Sequence, residues 1–199
     1  MLALALPLGH GAEAQAVAAL PSRSSPIATK RYAVTPVPGW TLFCQRRPEE
    51  CAVDPAEPAS ITLTAQAWQT LVRINHQVNA TIRPITDMEH WGVEEHWDFA
   101  EDGYGDCEDY QLVKRKRLVA AGFPRRALRL TAAIDREGSP HAVMMVRTDR
   151  GDFILDNKRN AVLPWRRTGY TYLQREDDTG KAWVSLGGAF VARVATAGR

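Results

Sequence analysis

The stretch Asp106-Cys107-Glu108-Asp109-Tyr110-Gln111-Leu112-Val113-Lys114-Arg115-Lys116-Arg117-Leu118-Val119-Ala120-Ala121-Gly122-Phe123-Pro124 decides the fold. Its acidic start suits the positive end of a helix dipole. Tyr110, Val113, Arg117 and Ala121 trace one face, Leu112, Lys116, Val119 and Ala120 another, and Gly122 and Pro124 close the helix. Downstream the period changes. The runs Ala127 to Ile134, His141 to Thr148 and Asp152 to Asp156 are separated by the turn signals Glu137-Gly138-Ser139-Pro140 and Asp149-Arg150-Gly151, which predicts antiparallel strands. Tyr170 to Leu173 and Lys181 to Val194 read as one or two more. Upstream, Trp68, Leu71, Ile74, Val78 and Ile82 recur at three- and four-residue steps, which predicts an amphipathic helix from Thr64 that ends before Pro84. Helices first and sheet second give an α+β fold, with N-terminal helices packed on an antiparallel sheet.

The whole chain of 199 residues, 45% hydrophobic and 24% charged, has the composition of one globular domain, expected over residues 40–199. Residues 21–39, rich in Pro, Ser and Thr, read as an extended or flexible leader. Residues 1–20 carry the apolar run Leu2 to Leu8 and then small residues, Ala12-Glu13-Ala14-Gln15-Ala16, as a secretory signal peptide does. No Lys or Arg precedes that run, so the signal is expected to be truncated. A periplasmic or secreted location follows, with no membrane span after processing. The net charge of +2 is spread along the chain, and the basic run Lys114 to Arg117 has no interleaved aromatic, so nucleic acid is not an expected partner. That run reads as a solvated helix face, with a docking patch for an acidic partner as the alternative. Cys44 and Cys51 lie in a loop-like stretch where an oxidising compartment would permit a disulfide, and Cys107 is left over.

A thiol attacks a carbonyl carbon as thiolate, which a helix N-terminus and a neighbouring imidazole favour. Cys107 has the first by position, and Gly103 and Gly105 allow a tight turn into the helix. The bland alternative is a buried structural cysteine. His141 starts one predicted strand and Asp156 ends the next, so pairing of the two strands would set imidazole beside carboxylate, as a base and its orienting partner require. His76, within the first helix, and His90 and His96, in an irregular aromatic stretch, lack that geometry. Trp91 and Trp97 are candidates for a cleft wall or for the core. Asp106, Glu108 and Asp109 crowd Cys107. They serve either as ordinary helix-start acids or as hard oxygen ligands for Ca²⁺, and spacing alone leaves both open.

Four segments taken in order, Gly105-Asp106-Cys107-Glu108-Asp109-Tyr110, Ser139-Pro140-His141-Ala142-Val143, Leu155-Asp156-Asn157 and Trp165-Arg166-Arg167-Thr168-Gly169-Tyr170, resemble the bacterial transglutaminase-like cysteine proteinases. The resemblance runs from about Trp40 to Gln174. It implies a papain-like, transglutaminase-like α+β core with Cys107 as nucleophile, His141 as base and Asp156 as orienting carboxylate. It further implies a calcium-dependent periplasmic protease with Asp106, Glu108 and Asp109 as calcium carboxylates. The implied substrate is the N-terminal region of a large surface adhesin, whose cleavage releases biofilm, under control of a membrane receptor for cyclic di-GMP. Two other functions use the same fold: acyl transfer to an amine on the same triad, and a calcium- or partner-binding module without turnover.

Overall fold

The computed structural model describes residues 20–30 and 32–188. The chain passes through β1 (Ala33–Val34), α1 (Pro38–Arg46), α2 (Pro48–Cys51), α3 (Ala65–Thr81), β2 (Arg83–Pro84), α4 (Asp87–His90), β3 (Tyr104–Gly105) and α5 (Cys107–Ala120). It continues through β4 (Leu128–Ile134), β5 (Pro140–Thr148), β6 (Gly151–Asp156), β7 (Arg159–Pro164), β8 (Thr171–Glu176) and β9 (Trp183–Ser185). Seven strands form one antiparallel sheet in the order β1-β9-β8-β4-β5-β6-β7, and β2 pairs with β3 in parallel apart from it. The expected α+β architecture, with N-terminal helices against an antiparallel sheet, is what forms.

Helix α3 begins where the Thr64 hydroxyl accepts the Ala67 N–H at 3.1 Å. Its apolar stripe buries Leu71, Ile74 and Val78 against α5 and β7, while α5 lies on β5. Alternate residues of the central strands, Leu128, Leu130, Met144, Val146, Phe153 and Leu155, meet these helices. The opposite alternation, Ala133, Val143, Met145 and Ile154, packs with Tyr172 on the far face. Both faces are covered, which is why Ala142 to Val146 reads as a continuous apolar run.

Residues 20–30 form part of the far cover. They run extended along the sheet, with Ser24 N–H on the Arg150 carbonyl at 2.8 Å and Ile27 N–H on Asp152 Oδ2 at 2.8 Å. The Ser25 carbonyl accepts from Trp165 Nε1 at 2.8 Å, and Lys30 N–H reaches the Ser185 carbonyl at 2.8 Å. The stretch read as a leader is thus extended but held to the sheet. The signal-peptide stretch up to residue 19, and residues 189–194 of the last predicted strand, lie outside the described residues. Among the described residues no helix is long and apolar enough to cross a membrane.

Three local readings are corrected. The stretch around Cys44 and Cys51 is helical, because Pro38 and Pro48 each occupy a first helical position, where a missing N–H costs nothing. A disulfide joins Cys44 to Cys51 across the two helices. Strand β7, short and half-exposed with only Val162 buried, carries no alternation strong enough to be read. The run Lys114 to Arg117 is not one solvated face: Lys116 and Arg117 are exposed, but Lys114 and Arg115 are 0% and 2% exposed. Arg115 pairs with Glu176 at 2.9 Å, and that carboxylate also accepts from Trp40 Nε1 at 2.7 Å and Leu130 N–H at 2.9 Å. Charge burial is tolerated there because every partner donates to it. Lys114 has no hydrogen-bond partner among the described residues, and burial pushes its ammonium down to about 7.

The disulfide closes a short loop of unfolded chain. Replacing both Cys44 and Cys51 with Ala is expected to lower unfolding stability by about 2–3 kcal/mol, measured by urea titration without reductant. A loss below about 0.5 kcal/mol would mean that packing alone fixes α1 against α2.

Candidate active site

Three elements converge on one cavity. Helix α5 starts at Cys107, and the preceding turn is made possible by two glycines for different reasons. Gly103 sits at φ +87°, whereas a Cβ on Gly105 would fall 2.6 Å from Asp109 Oδ2. The Asp109 carboxylate fills that space and accepts Asp98 N–H at 2.8 Å and Asp106 N–H at 3.2 Å, fixing the loop that delivers the cysteine.

Strand β5 supplies His141 and Ala142. Its ladder with β6 runs only from Thr148–Gly151 to Met144–Leu155, so the strands part before His141 and Asp156. Their side chains still meet: His141 Nε2 lies 2.9 Å from Asp156 Oδ1, with both residues buried. The expected juxtaposition of imidazole and carboxylate is present, just beyond the paired segment. In the opening between the strands Ala142 N–H donates to Cys107 Sγ at 3.3 Å. Cys107 and His141 line the same cavity of about 380 Å³, together with Glu94, Trp97, Ala132, Leu173 and Trp183. Trp97, 3% exposed and part of the main core, also borders this cleft, so both expectations for it hold. Trp91, 46% exposed, instead lines a second cavity beside Phe43 and Arg46.

Residues that carry no chemistry of their own hold Asp156, and sequence reasoning passed over their role. Tyr170 Oη donates to Asp156 Oδ2 at 2.6 Å, and its ring stands edge-on to His141. Lys158 N–H adds a bond to Oδ1 at 3.0 Å. Asn75 and Asn79 of α3 grip the turn after β6: Asn75 Oδ1 accepts Asp156 N–H at 3.2 Å, and Asn79 Nδ2 donates to the Asp156 carbonyl at 2.9 Å. Asn75 falls on the buried stripe of α3, four residues after Leu71 and three before Val78, and Asn79 lies one turn further on at its half-exposed edge. Burial alone would raise the Asp156 pKa, but the bonds from His141 and Tyr170 and the histidine's charge outweigh it and hold the carboxyl at about 2.

The acids around Cys107 behave in the opposite way. Burial, then the Asp106 charge, pushes Glu108 up to about 9. Burial, with Asp106 and Asp98 adding to it, pushes Asp109 up to about 8. The thiol of Cys107 is itself pushed well up, by burial first and by Glu108 second, so the helix dipole alone does not activate it. Asp87, Asp106 and Asp109 bring carboxylate oxygens within 4.8 Å of one another, and Asp106, Cys107 and Glu108 form a second such set. Glu108 Oε2 lies 3.1 Å from Cys107 Sγ, as acceptor of the thiol proton. Asp87 is the residue sequence reasoning missed. The parallel pairing of β2 with β3 brings it to Asp106, whose Oδ2 accepts Asp87 N–H at 3.3 Å. Asp106 Oδ1 is buried without a partner among the described residues, so hard oxygen donors crowded together with one orphaned atom fit a divalent cation.

Of the known proteins, the family described as bacterial transglutaminase-like cysteine proteinase BTLCP matches residues 29–190. No curated protein matches the sequence. Among solved structures the chain is similar to Legionella pneumophila LapG in a calcium-bound form, at 24% identity and a TM-score of 0.52, covering 63% of this chain and 73% of that one. A second Legionella pneumophila LapG structure matches at 23% identity and a TM-score of 0.51, covering 62% of this chain and 69% of that one. Both support the fold.

A carboxyl whose folded pKa is depressed stabilises the protein above its unfolded pKa, and that stability is lost as pH falls through the folded value. For Asp156 the window runs from the ordinary 3.8 down to about 2. Tyr170→Phe, by removing one donor to a charged acceptor, is expected to cost about 2 kcal/mol at neutral pH and to raise the acid-unfolding midpoint. Circular dichroism from pH 5 to about 1.5 checks it. An unchanged midpoint would mean that the Tyr170 bond does not hold Asp156 ionised.

Proposed function

The chain belongs to the bacterial transglutaminase-like cysteine proteinase family, and on that premise we propose that it is a periplasmic cysteine protease acting through Cys107, His141 and Asp156. The observation that carries this reading is the opening between β5 and β6, where the Cys107 sulfur rests on Ala142 N–H beside a His141 already bonded to Asp156. Because His141 spends Nε2 on Asp156, Nδ1 is left for the thiol. His141 takes the thiol proton, and Cys107 attacks a peptide carbonyl. The developing oxyanion is held by the Cys107 backbone N–H at the helix start, and His141 returns the proton to the leaving amine. Water, activated by the same imidazole, then releases the acyl group. Asp156, fixed by Tyr170 and Asn75, keeps the ring oriented through both half-reactions.

Calcium is the proposed cofactor, held by Asp106 and Asp109 with Asp87, and with Glu108 on the Cys107 side. It would neutralise the carboxylates beside the nucleophile. That removes the electrostatic part of what raises the thiol pKa and leaves the burial part to the imidazole. The proposed substrate is the N-terminal region of a large surface adhesin. A periplasmic setting is consistent with the Cys44–Cys51 disulfide.

The test is proteolysis of such an adhesin region by the wild type, by Cys107→Ala, and by the wild type with a calcium chelator, alongside melting curves with and without calcium. Expected are loss of cleavage by about 10³-fold or more in Cys107→Ala and a Tm that rises with calcium in the wild type but not in Asp87→Asn/Asp106→Asn. Product carrying an added amine acceptor would assign acyl transfer instead. A Cys107 that alkylates no faster than free cysteine would sink catalysis altogether.

A further inference from the structure

From the last pair with β6 onward, β5 turns backbone N–H groups toward α5, and two of these bonds go to one face of that helix. Ala142 N–H reaches Cys107 Sγ at 3.3 Å, and Met144 N–H reaches Gln111 Oε1 at 3.1 Å. Cys107 and Gln111 are one helical turn apart and Ala142 and Met144 are two strand residues apart, so the steps are about 6 Å along the helix and about 7 Å along the strand. The two spacings match closely enough for the helix to sit on the strand in register, side chain by side chain. Gln111 is completely buried and does not line the cleft, so it meets neither substrate nor solvent. Its bond is neutral and amide to amide, unlike the weak sulfur contact one turn earlier, and nothing in the chemistry of Cys107 consumes it.

We propose that Gln111 is a positioning residue: its bond to the Met144 N–H sets the register of the nucleophile helix against the strand that carries His141. The inference rests on the reading of Cys107 and His141 as nucleophile and base. Without this bond α5 keeps its apolar packing through Leu112 and Leu118 and its Arg115–Glu176 pair to β8, but loses its amide tie to β5, the strand that carries His141. A slip of a fraction of an ångström then lengthens the sulfur contact and misplaces the thiol from the imidazole.

The experiment compares wild type, Gln111→Met and Gln111→Asn as full chains in saturating calcium. The readouts are amide hydrogen exchange at Ala142 and Met144, the rate of Cys107 alkylation by iodoacetamide, and thermal melting. Gln111→Met keeps the length and removes the acceptor. It is expected to speed exchange at both amides and slow alkylation by about tenfold or more, with only a few degrees lost in Tm. Gln111→Asn keeps the amide on a shorter arm and is expected to recover part of the rate. If Gln111→Met does not fold, the comparison of Gln111→Asn with wild type decides. A folded Gln111→Met that alkylates within about twofold of wild type overturns the inference. If wild-type Cys107 is itself unreactive, the protease reading fails, and the exchange arm alone then decides whether Gln111 fixes the register.

Discussion

The site exists because a sheet is not allowed to stay zipped. Where β5 and β6 part, peptide groups that would have paired with each other are left inside the protein, and buried peptide groups need partners. The helices supply them: Asn75 and Asn79 from α3 on the β6 side, Gln111 and Cys107 from α5 on the β5 side. Each of these bonds positions a helix as well as satisfying the backbone. The packing of α3 and α5 over the sheet and the convergence of Cys107, His141 and Asp156 are therefore one arrangement seen from two sides.

Charge follows the same logic of who donates. Asp156 is as buried as Asp109, yet its carboxyl is held low while that of Asp109 is driven high. Asp156 faces a histidine, a phenol and a backbone N–H. Asp109 faces Asp106 and Asp98, and its two backbone donors do not offset them. A cation held by Asp87, Asp106 and Asp109, as proposed, would reconcile the acid cluster with an ionisable thiol next to it.

Much of this was legible in the chain. The periodic stripe of α3, the acid start of α5 at Cys107, and the turn signals that bracket β5 and β6 gave the α+β fold and the neighbourhood of His141 and Asp156. Legibility failed where a side chain departs from its usual environment. Asn75, Gln111, Lys114 and Arg115 are polar residues on helices, and residue type assigns such side chains to water unless a buried partner is known in advance. Asp87 stands nineteen positions before Asp106, and a two-residue parallel pairing that no alternation pattern announces joins them. The helices α1 and α2 are too short for a period, so only their prolines marked them.

The strap of residues 20–30 bears on how the domain is bounded. The family match starts at residue 29, yet Ile27 packs with Ala133, Val143, Met145 and Ile154, the apolar patch directly behind the strands that carry the site. A boundary drawn from family likeness alone would cut through this cover, strip the partners of Arg150 and Asp152, and leave a flat apolar surface open to other chains. What looks like a tether by composition is, in the folded protein, the back wall of the sheet that carries the candidate site.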